Sequence, residues 1–232
     1  VKKLHKALLG IAAVAAVSVP ALAASGPASP TDAWNHLWKE VLIDLFIIGG
    51  LFAIATVVML VKYRAKSPDA VGDGPVFSSG QMWAWILVPA ALFMADDFML
   101  SAKGWSLWNI QREVPAGAME VKVTASQWFF EFQYEGGVTS DELVVPVGKP
   151  VVLRMTATDV VHSFGLNEYR LKEDVMPGRV TYMWFLPSKP QVTKVLCVEF
   201  CGTGHAEMNA PVRAVPQAEF DAWLAKKKPK TS

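Results

Sequence analysis

The chain has 232 residues, of which 52% are hydrophobic and only 19% charged, and its mean hydropathy is +0.28. A formal net charge of +1 excludes, by charge, a nucleic-acid-binding role for the whole chain. So apolar a composition at this length means either one large core or a part of the chain in lipid.

The chain opens with a basic start (Lys2, Lys3, Lys6) and an apolar run from Leu8 to Val19. Ala21-Leu22-Ala23 follows, the small-x-small form that a signal peptidase cuts, so residues 1–23 are expected to be a signal peptide. Pro20 ends the run early, which argues against the alternative of a third membrane helix. Export matters for the chain's two cysteines, because an oxidising compartment favours a disulfide.

A transmembrane hairpin is expected over residues 34–112. Its first helix, at about 41–61, reads "VLIDLFIIGGLFAIATVVMLV", apolar but for Asp44; its second, at about 82–100, reads "MWAWILVPAALFMADDFML". Both approach the roughly 20 residues that cross a hydrocarbon core. Lys62, Arg64 and Lys66 lie between them, which places that loop in the cytoplasm and both ends of the mature chain outside. Trp34, Trp38, Trp105 and Trp108 fit interfacial belts, and Gly49-Gly50 would let helices approach closely. Asp96 and Asp97 fit the outer end of the second span; facing a partner subunit is the alternative.

Residues 113–225 have another texture. "MEVKVTASQWFFEFQYEGG", "DELVVPVGKPVVLRMTATD", "RVTYMWFLP" and "TKVLCVEF" are short β-prone runs. Gly136-Gly137, Gly148, Pro177-Gly178 and Pro187 separate them. They predict an antiparallel Greek-key β-sandwich or barrel. Strand alternation would put Trp128 and Phe130 on one face and Gln127 and Phe129 on the other. One helical pattern, "QAEFDAWLAKK", precedes a basic tail at 226–232. Residues 113–225 hold 14 acidic and nine basic side chains, a balance of −5. Such a surface steers a basic partner at a rate that falls with salt; ordinary solubilisation is the plainer reading.

The chemistry concentrates in "VLCVEFCGTGHAEMNAPV", which holds both cysteines, Cys197 and Cys201, with Glu199, His205 and Met208. Thiolate, imidazole and weak thioether are the donors of a blue-copper electron-transfer site, which adds a second histidine from a distant loop. After Met119 the chain has one other histidine, His162 in "TDVVHSFG". Cys197 enlarges the set: a second thiolate four residues from the first can bridge to a second metal. Two thiolates, two histidines, a methionine and a backbone carbonyl suffice for a dinuclear copper centre. Zinc is the rival metal, and the thioether argues against it. A disulfide between the cysteines leaves His162, His205 and Met208 without a reason to coincide.

"CVEFCGTGHAEM" resembles the dinuclear copper A loop of cytochrome c oxidase subunit II, and the likeness extends over most of the chain. "TDVVHSFG" resembles the family's first-histidine loop, "LKEDVMPGR" its lysine-x-aspartate and Pro-Gly-Arg, and "SQWFFEFQYEG" its aromatic segment. Trp85 to Pro89 falls where the family has Trp and Pro in its second helix. The resemblance implies a membrane-anchored all-β protein, an N-terminal two-helix transmembrane hairpin plus a cupredoxin-like Greek-key β-sandwich. It implies that Cys197 and Cys201 bridge two coppers. His162 and Met208 would complete one copper, and His205 with the main-chain oxygen of Glu199 the other. The Glu199 carboxylate would reach a magnesium at the interface with the catalytic subunit. Trp128 matches the surface tryptophan through which cytochrome c passes its electron. Glu131, Glu135, Asp141, Glu142 and Asp159 are candidates for the cytochrome-facing surface. The implied partners are the haem-copper catalytic subunit I, other oxidase subunits, cytochrome c or a similar donor, and the membrane. The implied location is a bacterial inner membrane, multi-pass, with the copper domain on the periplasmic side.

The implied function is that of the electron-accepting subunit of a terminal respiratory oxidase, the oxygen chemistry residing in the partner. There are departures. Phe129 and Phe130 stand where the family often has Trp or Tyr. Met82, beside Gln81, stands where it often has a proton-path glutamate. These keep open the copper A subunit of a nitric oxide reductase; a free-standing membrane-tethered copper-binding protein is the third reading. A quinol oxidase subunit would lack the copper ligands. No C-x-x-C-H motif is present, so no fused cytochrome c is expected.

Overall fold

The computed structural model describes residues 29–72, 74 and 76–228. The expected signal peptide and the last four residues of the basic tail lie outside the described residues. Two long helices come first, α1 (Pro30–Lys62) and α2 (Ser79–Arg112). Each starts on a serine cap. Ser29 accepts from the Asp32 N–H with Pro30 following, and Ser78 forms a reciprocal capping box with Gln81. Apolar side chains surround both helices, and those at 43–61 and 82–98 are largely exposed, as lipid-facing residues are.

At 33 and 34 residues the helices are about 50 Å long, well beyond the roughly 30 Å hydrocarbon core. They therefore run past the apolar stretches at 41–61 and 82–100. Outside those stretches they carry polar links, such as Lys103 donating to Glu40 at 2.6 Å. Asp96 and Asp97 lie within the 82–100 stretch of α2, Asp96 about 26 Å from the helix start.

Ten strands follow: β1 (Met119–Ser126), β2 (Phe129–Gln133), β3 (Thr139–Ser140), β4 (Leu143–Pro146) and β5 (Val151–Ala157). After them come β6 (His162–Leu166), β7 (Leu171–Val175), β8 (Thr181–Phe185), β9 (Gln191–Cys197) and β10 (Asn209–Val215). A last helix, α3 (Gln217–Lys227), closes the described chain. The strands form two five-stranded sheets, ordered β3-β2-β1-β5-β8 and β4-β10-β9-β6-β7. Most pairings are antiparallel, as the turn-rich sequence predicts, but β1 with β5 and β4 with β10 are parallel. The cause is the crossing of the chain between sheets. β4 joins the second sheet between two strands of the first, so β5 returns to β1 without a hairpin.

The sandwich fills with apolar side chains. Phe164 meets Phe130 and Phe132 edge-on at 5.2 and 6.2 Å, and all three are buried. Each such side chain contributes about 1.5–3 kcal/mol by leaving water. Tyr134 closes one end. Its hydroxyl accepts the Val144 N–H at 2.7 Å and donates to the Val144 carbonyl at 3.1 Å, while Trp223 of α3 packs on its ring.

The β-domain clasps the outer ends of both helices. Arg112, the last residue of α2, lies over Trp108 at 4.4 Å, near Tyr182, and pairs with Glu173 at 2.8 Å. Burial pushes the Glu173 carboxyl up, an effect that Arg112 opposes. The Tyr182 hydroxyl donates to the Arg112 carbonyl and the Trp184 indole to the Ile110 carbonyl, satisfying two of the helix's orphan acceptors. At α1, Thr31 donates to the Tyr169 carbonyl, Trp34 packs on the domain's core, and Arg170 lies over Trp38. Trp34, Trp38 and Trp108 thus engage the domain rather than standing only as a membrane belt.

Candidate metal centre

Three elements converge at one end of the sandwich. His162 begins β6, Cys197 ends β9, and Met208 precedes β10. The pairing of Phe164 with Cys197 sets His162 beside the end of β9, and the Cys197 N–H donates to the Met208 carbonyl at 3.0 Å. Gly165 permits the close pass, since a Cβ there would meet a Val198 methyl at 2.7 Å. The intervening loop carries Cys201 and ends in a 3-10 turn, His205–Glu207.

The donor atoms gather. Cys197 Sγ and Cys201 Sγ lie 3.7 Å apart as free thiols. Cys197 Sγ is 3.9 Å from His162 Nδ1 and 3.2 Å from the Glu199 carbonyl oxygen. Cys201 Sγ is 3.7 Å from His205 Nδ1 and 3.8 Å from Met208 Sδ. The sulfurs and His162 Nδ1 or Nε2 fall within 4.8 Å of one another. Two sulfurs bound to one tetrahedral ion at about 2.3 Å would sit about 3.7 Å apart, so the sulfur spacing suits a shared metal. Two outer donors stand at each sulfur, one histidine at each. Cys197, Cys201, His162 and Met208 are all buried, and His205 is half-buried. Water is kept from the thiols, and soft sulfur with imidazole favours copper over harder ions.

Burial, reinforced by the neighbouring Cys197, pushes the Cys201 thiol up to about 11. A cation must therefore displace thiol protons as it binds. His162 is pre-oriented for that event. Its Nε2 lies 2.8 Å from Asp159 Oδ1. Burial works against ionisation of Asp159, but bonds from His162 and from the Gln127 and Val160 N–H groups outweigh it and hold the carboxyl below its usual range. An ionised carboxylate only accepts, so the proton is assigned to Nε2 and the Nδ1 lone pair faces Cys197.

Gln127 and Trp128 form the turn between β1 and β2, so strand alternation does not govern Trp128. It is 41% exposed, whereas Phe130, its expected face-mate, is 2% exposed. The indole N–H donates to the Cys201 carbonyl at 3.3 Å, beside Gln127 Nε2 at 2.7 Å. Of the acids expected on a donor-facing surface, Glu131, Glu135, Asp141 and Asp159 are exposed. Glu142 instead accepts from Trp223 and pairs with Arg213, and Asp159 supports His162. Sequence reasoning missed Asp159 as a support for His162 and missed Gln127 altogether. A carboxylate three residues before a candidate ligand histidine is a signal that could have found the first.

Comparison with known proteins bears on the same residues. Residues 137–215, which hold every candidate metal donor named above, match the family described as cytochrome c oxidase subunit II, periplasmic domain. The alternative cytochrome c oxidase subunit 2 of Bradyrhizobium diazoefficiens is 26% identical over 230 residues, 84% of this chain and 81% of its own length. Cytochrome c oxidase subunit 2 of Cereibacter sphaeroides is 30% identical over 182 residues, 61% of this chain and 58% of its own. Residues 137–215 carry the periplasmic domain of the cytochrome c oxidase subunit II family.

Its relatives are subunits of an oxidoreductase, and the chain itself has a cupredoxin-like β-sandwich, two apolar helices and an outward-facing domain. The crystal structure of the periplasmic domain of subunit II of cytochrome oxidase from Bradyrhizobium japonicum is 30% identical, with a TM-score of 0.49, covering 52% of this chain and 100% of that one. The chain spans 61% of the length of the Alkalihalophilus pseudofirmus subunit and 58% of the Cereibacter sphaeroides one.

Proposed function

We propose that this subunit accepts electrons one at a time from cytochrome c, or a similar donor, and passes them to haem in the catalytic subunit of a terminal oxidase. The observation that carries the reading is the pair of buried, unbonded thiols with two outer donors on each. Cys197 and Cys201 would bridge two coppers. His162 and Met208 would complete one, and His205 with the Glu199 carbonyl the other. When bound, that copper pair supplies a one-electron couple whose charge two thiolates offset. The chain's own residues hold the donors in place. Asp159 orients the His162 ring, the β6–β9 pairing sets His162 against Cys197, and burial keeps water from the sulfurs. Such a preset ligand frame keeps rearrangement on each electron passage small.

Trp128, exposed and bonded to the Cys201 carbonyl, is the point where the electron arrives. The exposed Glu199 side chain leaves a carboxylate free for a magnesium shared with the catalytic subunit. Docking onto a bacterial inner membrane with the copper domain on the periplasmic side completes the reading.

The test is metal content and spectrum of the purified full-length chain, separated from the haem-copper catalytic subunit. Two coppers per chain are expected, with the intense visible bands of a thiolate-bridged pair. Cys197→Ser should leave at most one copper. A wild-type chain holding one copper or zinc, or a two-copper spectrum surviving in Cys197→Ser, would overturn the assignment.

A further inference from the structure

Gln127 belongs neither to the ligand set nor to the core. It is exposed on the β1–β2 turn, yet its Nε2 reaches a residue 74 positions away, donating to the Cys201 carbonyl at 2.7 Å. The same oxygen receives the Trp128 indole N–H at 3.3 Å. A carbonyl oxygen has two lone pairs, and consecutive residues of one turn fill both. The Gln127 main-chain N–H is itself anchored on Asp159 Oδ2 at 2.7 Å, while the other oxygen of that carboxylate holds His162. The turn is thus tied to both Cys201 and His162.

The ligand loop lacks side chains where this turn approaches it. Gly202 sits at φ +119°, and a Cβ there would stand 3.0 Å from Gln127 Nε2 and 3.3 Å from the Trp128 ring. A Cβ at Gly204 would overlap the Trp128 ring. Two glycines within three residues make a seat for the pair. A bare peptide following Cys201, with its neighbour in the positive-φ region, is easily tipped. The longer indole bond alone is a weak restraint on that carbonyl, and the 2.7 Å amide bond is the stronger one.

We propose that Gln127 is a positioning residue of the electron route. It holds the Cys201 carbonyl at the orientation that Trp128 needs, so that the surface indole and the ligand loop move as one unit when a donor docks. The inference rests on the proposed role of Trp128. In the step concerned the donor haem loses one electron and the centre gains it; Gln127 transfers neither proton nor electron.

The test uses the full chain in its purified complex. Gln127→Met keeps the length and removes the donor; Gln127→Glu keeps the shape and replaces the donor with an acceptor. Copper content and visible spectrum should match wild type in both. The limiting rate of electron uptake at saturating reduced cytochrome c should fall by up to about fivefold, the change in the alignment equilibrium when one ordinary hydrogen bond is lost. KM for the cytochrome should hold in Gln127→Met. Reduction by a small soluble hexaammine ruthenium(II) donor, which does not need Trp128, should proceed at the wild-type rate. A wild-type limiting rate in Gln127→Met would overturn the proposal, as would an equal slowing with the small donor. Failure of the underlying reading looks different: Trp128→Ala would then take up electrons from cytochrome c at the wild-type rate.

Discussion

Asp159 offers the sharpest test of how the protein prepares its metal site. One oxygen holds His162 Nε2 at 2.8 Å and the other the Gln127 N–H at 2.7 Å. Asp159→Ala removes both and lets the His162 ring turn. A hydrogen bond to a charged group is worth about 1.5–3 kcal/mol, and solvent reaches this carboxylate, whose side chain is 29% exposed, so the low end applies. About 1.5 kcal/mol is roughly tenfold in affinity, at the lower edge of the 10–100-fold losses that follow removal of a ligand's outer partner. Asp159→Asn keeps one oxygen acceptor and turns the other into an NH2 donor, so it can hold His162 Nε2 but not also the Gln127 N–H on the second oxygen, and it should lose less than Asp159→Ala. The assay is competition for copper(I) between the purified full-length chain and a chromophoric chelator. Wild-type affinity in Asp159→Ala would refute the argument and return Asp159 to a surface role, visible only as a salt-dependent KM for the donor.

Three further outcomes are expected. Trp128→Ala should cut electron uptake from cytochrome c severely while copper content and melting temperature hold, because the side chain is 41% exposed; stopped-flow kinetics and calorimetry on one preparation check both. Turnover with a basic cytochrome c should slow as salt rises, since residues 113–225 carry a balance of −5 and screening shortens the reach of charge to about 8 Å at physiological strength. Tyr134→Phe strands the buried Val144 N–H, at a cost of about 1–3 kcal/mol, or roughly 5–15 °C in the melting temperature of the domain. Burial raises the Tyr134 phenol, so the folded state holds its proton harder; wild-type stability falls as pH rises past about 10, the phenylalanine variant lacks that loss, and the two melting curves converge in alkali.

What the sequence discloses follows from locality. Cys197, Cys201, His205 and Met208 lie within twelve residues, so their spacing reads directly as a candidate ligand set, and His162 joins it because histidine is scarce. The supports of those ligands were opaque, because they are made across the fold. Nothing near Gln127 announces a bond to a carbonyl 74 residues on. Trp128 and Phe130 look like neighbours on one face until the turn between β1 and β2 breaks the alternation. Helix ends were hidden for another reason. Hydropathy marks what lipid covers, whereas α1 and α2 continue until the β-domain caps them. The parallel pairings were equally invisible, because a run of β-prone residues does not say which sheet it joins.

The clasp on α2 also dictates an order of events during biosynthesis. Its last carbonyls, at Ile110 and Arg112, are satisfied by Trp184 and Tyr182, some 70 residues downstream. At about 5–20 residues per second, those partners emerge roughly 4–14 s after the helix itself. The hairpin therefore has to insert with that end uncapped, held only by water at the outer surface. The cap arrives once the strands have been translocated and paired. Metal loading is later still, because β6 and β9 must meet before His162 and Cys197 are neighbours. A newly made subunit thus passes through a stage in which its outer domain is tethered but not yet docked.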